Sequence, residues 1–166
     1  MSKFIYPIDT DQFQLIREQG KIYVDKTGYI HDLVNVRKYQ FVFLARPRRF
    51  GKSLFCNTLK AYFQGQKELF DGLKISKLEQ EWKKYPVLHF DMSEMRNCTT
   101  IKDMRDVLSA MLHRYEAQYG ATKNIDDLGA RFSQLIRFVH ESQKAQPVVI
   151  IDEYDTPMVR NLYNDD

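Results

Sequence analysis

The sequence predicts an α/β fold, a mainly parallel sheet with helices on both faces, and two observations carry that expectation. Three short, almost continuously apolar runs, at residues 39–45, 86–91 and 147–152, have the composition of buried parallel strands. Between them lie longer segments whose apolar residues recur at helical spacing. Strands alternating with helices build this architecture through right-handed crossovers.

From the N-terminus, residues 12–19 suit a short helix ended by Gly20, and residues 21–24 a brief extended piece leading into Asp25-Lys26-Thr27. Asp25 or Thr27 is placed to cap a helix over 28–36, with Tyr29, Ile30, Leu33 and Val34 on its buried side. The first strand, 39–45, carries Phe41, Val42, Phe43 and Leu44 in a row, which suits a central position. After a loop, residues 53–64 carry Leu54, Phe55, Leu59, Tyr62 and Phe63 at helical spacing and meet Gly65. Residues 77–84 predict a second short helix, and 86–91 a strand with Pro86 where a strand tolerates proline. Thr100 and Asp103 form a capping pair ahead of a helix over 104–119, which Gly120 closes. A helix over 125–144 follows, with Leu128, Phe132, Leu135, Ile136 and Val139 on one face, and then the strand 147–152. Thr156-Pro157 reads as another helix start, so the sheet is expected to be truncated at its C-terminal end.

Lacking an internal repeat or a Gly/Ser linker, residues 1–166 read as one domain. Hydrophobic residues make up 43% and charged residues 28%, which excludes an extensively disordered chain. The net charge of +3 does not by itself call for nucleic acid, and no basic–aromatic stripe does so either. Cys56 and Cys98 match neither a disulfide framework nor a zinc site and are expected to be reduced thiols. No apolar run approaches the ~20 residues that span a bilayer, and the N-terminus lacks a signal-peptide core. A soluble, cytoplasmic protein with no membrane partner is expected. His31, His89, His113 and His140 stand singly, as structural histidines do.

The strongest constellation is strand, then Arg46-Pro47-Arg48-Arg49-Phe50-Gly51-Lys52-Ser53, then helix. A phosphate-binding loop is written GxxxxGK[ST]; Gly51, Lys52 and Ser53 fit its end, and Arg46 occupies the place of its first glycine. Backbone N–H groups at a helix N-terminus point at phosphates, and the helix dipole favours negative charge there. Gly51 lets the backbone approach closely, the Lys52 ammonium reaches the β- and γ-phosphates, and the Ser53 hydroxyl suits Mg²⁺. Phe50 and Leu54 flank this core, and one of Arg48 and Arg49 is expected to neutralise phosphate.

A P-loop NTPase needs an acid at the end of a neighbouring strand to hold Mg²⁺. Asp152 ends the apolar run Val148-Val149-Ile150-Ile151, and Glu153 follows, placed to polarise the attacking water as general base. Asp91 also ends a strand at the edge where such sheets bind ligands, as a supporting acid or a surface carboxylate. Asp155 is nearer in sequence but equally suits the turn before Thr156.

Tyr6-Pro7-Ile8, Tyr23-Val24-Asp25-Lys26-Thr27, the Arg-Pro-Arg-Arg-Phe-Gly-Lys-Ser-Leu string from Arg46, Tyr85-Pro86-Val87-Leu88 and Asp152-Glu153-Tyr154-Asp155-Thr156-Pro157 together resemble the bacterial AAA-ATPase-like family over nearly the whole chain. The family resembles this chain in lacking the first glycine of the loop. The resemblance implies a P-loop ATPase with an extra strand between the phosphate-binding strand and the acidic one, and Glu153 as catalytic base. It also implies that residues 1–166 are the N-terminal part of such a domain, and that longer members continue into a PD-(D/E)xK nuclease-like domain. By the same resemblance Tyr23 or Lys26 lines the base pocket.

The expected function is ATP binding with Mg²⁺, and hydrolysis in the complete protein. The alternative is a nucleotide-dependent switch with little hydrolysis, controlling an appended nuclease-like domain or a partner. An open sheet edge and uncovered helix faces would favour self-association into a homo-oligomer.

Overall fold

Phe13 and Ile16, one helical turn apart, are both buried, and they give the first helix, α1 (Phe13–Glu18), its inward face. The residues described by this computed structural model are 5–45, 50–121 and 125–156, and they fall into two units, Met1–Lys84 and Tyr85–Asp166.

In the first unit, α2 (Thr27–His31) runs directly into a π-helical turn, Asp32–Val36. Helix α3 (Lys52–Phe63) follows, then two 3₁₀ turns, Lys67–Phe70 and Lys74–Lys77. Their core gathers Phe13, Ile30, Tyr62, Phe70 and Ile75 around an aromatic cluster in which the Phe13, Tyr23 and Trp82 rings approach within 5.0 Å of a neighbour. The predicted helix over 28–36 is therefore present but changes pitch at Asp32. Of its expected inward residues Ile30 is buried, whereas Tyr29 is exposed.

Two expectations fail in this unit. Residues 77–84 do not form the predicted helix. Glu79 instead accepts hydrogen bonds from the Tyr62 hydroxyl, the Asn35 amide and the backbone N–H groups of Gln80 and Glu81, and Trp82 takes a left-handed φ of 40°. A local side-chain acceptor has captured the N–H groups that a helix would use. Residues 41–45 run without regular structure, so the predicted strand 39–45 is not formed; Phe41 is 92% and Phe43 70% exposed. An apolar run becomes a strand only where neighbouring backbones pair with it, and composition cannot supply the neighbours.

The second unit holds the sheet. β1 (Val87–Asp91) and β2 (Val148–Asp152) pair in parallel, Leu88 opposite Val149 and Asp91 opposite Asp152. Among the described residues the sheet has these two strands, fewer than the three predicted. A 3₁₀ segment, Met92–Asn97, leads to α4 (Ile101–Tyr119), which opens on a full capping box between Thr100 and Asp103 and closes on Gly120 at φ 78°. Helix α5 (Leu128–Gln143) starts from an Asp127 cap. Leu88 and Phe90 of β1 pack with Met111, Leu112, Leu135 and Val139 of the two helices, whereas Val149 and Ile151 of β2 stay exposed. The observed fold is thus mixed α/β with a small parallel sheet.

One polar contact pins the helix pair. Arg131 of α5 is 2% exposed and grips Glu116 of α4, 3% exposed, through two parallel hydrogen bonds, the Nη2–Oε2 one at 2.7 Å. Its remaining donors reach the Ser109 hydroxyl at 2.7 Å and carbonyl at 3.2 Å. Removing one partner of a buried pair strands the other charge, so Arg131→Ala is expected to cost about 3–5 kcal/mol. Replacing both, as Arg131→Met with Glu116→Leu, should recover most of that loss. Urea unfolding midpoints of the two variants check this; equal midpoints would refute it.

Candidate functional site

Gly51 sits at φ 72°, ψ 33°, a left-handed conformation natural to glycine, and turns the chain into α3. Lys52 and Ser53 are the first two helical residues and Leu54 the third, so their N–H groups have no partner within the helix. No side chain caps this end, and the Phe55 N–H is the first to be taken, by the Gly51 carbonyl at 3.0 Å. The Lys52 ammonium and Ser53 hydroxyl make no hydrogen bond or ion pair to any described residue. Leu54 points its side chain at the core, and its carbonyl accepts from the Thr58 hydroxyl at 2.7 Å, which holds the first turn in place. The helix start is therefore anchored from below and uncommitted above. Arg46, Arg48 and Arg49 lie outside the described residues, while Phe50 is exposed beside Gly51.

Next to this loop lies a cleft of about 350 Å³. Lys26, Gly51 and Phe50 line it together with the apolar Leu33, Phe43 and Phe55 and the polar Asp32, Arg37 and Tyr39. The polar lining is organised: Arg37 Nε donates to Asp32 Oδ2 at 2.7 Å, and its Nη1 donates to the Tyr39 hydroxyl at 3.3 Å. Pitch changes such as the π turn carrying Asp32 and Leu33 recur at functional sites. Of the two residues expected near a base, Lys26 lines the cleft and Tyr23 does not. The Tyr23 ring packs on Phe13 and its hydroxyl lies 3.3 Å from the Thr58 hydroxyl; burial pushes this phenol up. Sequence reasoning assigned Tyr29 to the core and passed over Asp32, Arg37 and Tyr39. The one signal that could have found them is the density of aromatic and charged residues just ahead of the loop.

Asp25, beside Lys26, is fixed firmly. Burial works to raise its carboxyl, but hydrogen bonds from the Thr27 hydroxyl and the Lys74 and Thr27 N–H groups outweigh this and hold it below the ordinary carboxylate range.

In the second unit, Asp152 closes β2 at 6% exposure, its Oδ1 accepting the Glu153 N–H at 2.9 Å. Its Oδ2 takes no hydrogen bond from any described residue. Glu153 adopts φ 51°, unusual for a non-glycine residue, and its carbonyl accepts from the Thr156 N–H at 2.9 Å, so the chain turns sharply at the strand end. Asp91 stands opposite Asp152 in register, its Oδ1 occupied by the Ser93 N–H at 2.9 Å. The parallel pairing thus brings both strand-end acids to one edge, as expected. Asp155 is half-buried, with an Oδ1 that finds no partner among the described residues.

No group of three or more His, Cys, Asp or Glu side chains among the described residues is arranged to hold a metal. The Ser53 hydroxyl in the first unit and the Asp152 carboxylate in the second are each, taken separately, hard oxygen donors of the kind Mg²⁺ takes. No helix among the described residues is long and apolar enough to cross a membrane.

The fold and these residues define a mixed α/β protein with an uncapped, lysine-bearing helix start and a separate acidic strand end. Residues 7–166 match the family described as predicted AAA-ATPase, and the chain belongs to that family. An uncharacterized protein in the vnfD 5′ region of Azotobacter chroococcum mcd 1 is 36% identical over 166 residues, covering 98% of this chain. The chain spans 31% of that relative's length. No solved structure matches.

Proposed function

We propose that the protein binds ATP with Mg²⁺ on the loop from Arg46 to Ser53 and hydrolyses it with the acids at the end of β2. The observation that carries this reading is the start of α3, where the first three helical residues bring three N–H groups, an ammonium and a hydroxyl, none with a partner among the described residues. A cluster of unused donors at a helix N-terminus is a site for a polyanion. Family membership adds nucleotide use in general.

In this reading the Lys52, Ser53 and Leu54 N–H groups cradle the phosphates, and the Lys52 ammonium offsets charge on the β- and γ-phosphates. Ser53 Oγ and Asp152 would hold the Mg²⁺, which when bound neutralises charge that develops on the transferring phosphoryl group. Glu153 orients the attacking water and accepts its proton. The apolar cleft beside Gly51 receives the nucleoside, and one of Arg48 and Arg49 joins the phosphate contacts. Longer members would pass the nucleotide state to a nuclease-like domain or to a second copy of the chain.

Calorimetric titration of the full-length protein with Mg-ATP, Mg-GTP and ATP in chelator, alongside phosphate release, tests this. Tight binding that needs Mg²⁺, with steady release, is the expected result. Binding without turnover would leave a nucleotide-dependent switch. Absence of binding would overturn the reading.

A further inference from the structure

Lys26 stands between two locked neighbours. Thr27 is fully buried; its hydroxyl donates to Asp25 Oδ1 at 2.6 Å and accepts the Ile75 N–H at 3.1 Å, while Asp25 Oδ2 accepts the Lys74 N–H at 2.6 Å. On the other side, a Cβ added at Gly28 would meet Lys74 Cδ at 2.9 Å, so this turn packs directly on the second 3₁₀ turn. The backbone at Lys26 is thus tied to a distant segment from both directions, and its aim is not free to wander. The half-buried side chain brings Nζ to 3.8 Å from where a Cβ would stand on Gly51.

That ammonium makes no hydrogen bond or ion pair to any described residue. It also faces the wrong end of a helix. The first turn of α3 presents free N–H groups and the positive end of its dipole, so a cation held there raises the energy of the empty site. Exposed lysines avoid such a place by swinging into water. Here the anchored turn and the cleft wall keep the stem beside the loop. An anion between the ammonium and the N–H groups turns the repulsion into two sets of charge-assisted hydrogen bonds.

We propose that Lys26 is a second phosphate-binding cation, which grips the triphosphate from the cleft side of Gly51 while Lys52 holds it from the helix. The proposal rests on the nucleotide reading of the loop and deepens it. It moves Lys26 from the base pocket, which the family resemblance gives to Tyr23 or Lys26, to the phosphates. The Asp25-Lys26-Thr27 segment then has a single purpose, with the two outer residues as a mount and the middle one as the contact.

The test is Mg-ATP titration of the full-length protein at several salt concentrations, for wild type, Lys26→Gln, Lys26→Arg and Lys52→Ala, with thermal midpoints taken without nucleotide. Lys26→Gln is expected to weaken Mg-ATP binding about tenfold to a hundredfold. It should also flatten the salt dependence, as loss of one phosphate-facing charge must. The Lys26→Arg variant should recover most of the affinity, and the thermal midpoints should stay near wild type. If Lys26→Gln binds like wild type while Lys52→Ala loses binding, this proposal fails and the nucleotide site stands. If the loss comes with an unchanged salt slope and no rescue by arginine, Lys26 acts through the fold and the proposal fails. If wild type binds no Mg-ATP, both fall.

Discussion

Lys52→Ala is expected to lower Mg-ATP affinity by roughly 30-fold to several thousand-fold, the range for deleting one partner of a desolvated, hydrogen-bonded charge pair. The size follows from what Lys52 does not do in the ligand-free protein. Its ammonium makes no hydrogen bond or ion pair to a described residue, so no polar contact of the fold is lost with it. The helix it opens is held by Leu54, Thr58, Ala61 and Tyr62, and alanine is the best helix former available for its place. The variant should therefore fold and melt like wild type while failing to bind. Calorimetry on the two proteins, with matched thermal midpoints, checks this; equal affinities would show that Lys52 has no role in the site.

Glu153→Gln is expected to leave Mg-ATP binding within a few-fold of wild type and to slow hydrolysis about 10²- to 10⁴-fold, the usual contribution of a general base. Glutamine keeps the length of the side chain and leaves untouched the backbone contacts that define this turn, namely the N–H to Asp152 and the carbonyl to Thr156. What it loses is the capacity to accept a proton. Single-turnover phosphate release on protein preloaded with Mg-ATP separates chemistry from binding. A variant that turns over at the wild-type rate would reduce Glu153 to a turn residue at a strand end.

Both expectations were legible before any coordinates, because loop and strand-end chemistry is written in contiguous residues. Gly51-Lys52-Ser53 needs a helix behind it, and the spacing of Leu54, Phe55, Leu59 and Tyr62 announces one. Thr100 and Asp103 announced the start of α4 for the same reason: a capping box is a contact between residues three apart. Where sequence reasoning went wrong, the deciding partner was distant. Residues 77–84 carry a helical pattern, yet Glu79 is drawn away by Tyr62 and Asn35. Tyr29 has core chemistry and a core spacing, yet it is exposed and lines a cleft, while Ile30 beside it takes the buried place.

The sequence by itself determined the family, the starts of α3 and α4 and the two apolar strands that pair. These rest on propensity, periodicity and capping, which act within a few residues. Only the tertiary structure decided that Asp91 stands opposite Asp152, that Arg131 and Glu116 form a buried pair, that residues 39–45 form no strand, and that Lys26 is mounted against Gly51. Each of these depends on register, burial or proximity between segments far apart in the chain. Their energies come from solvent removed and partners met, quantities that no local stretch of sequence contains.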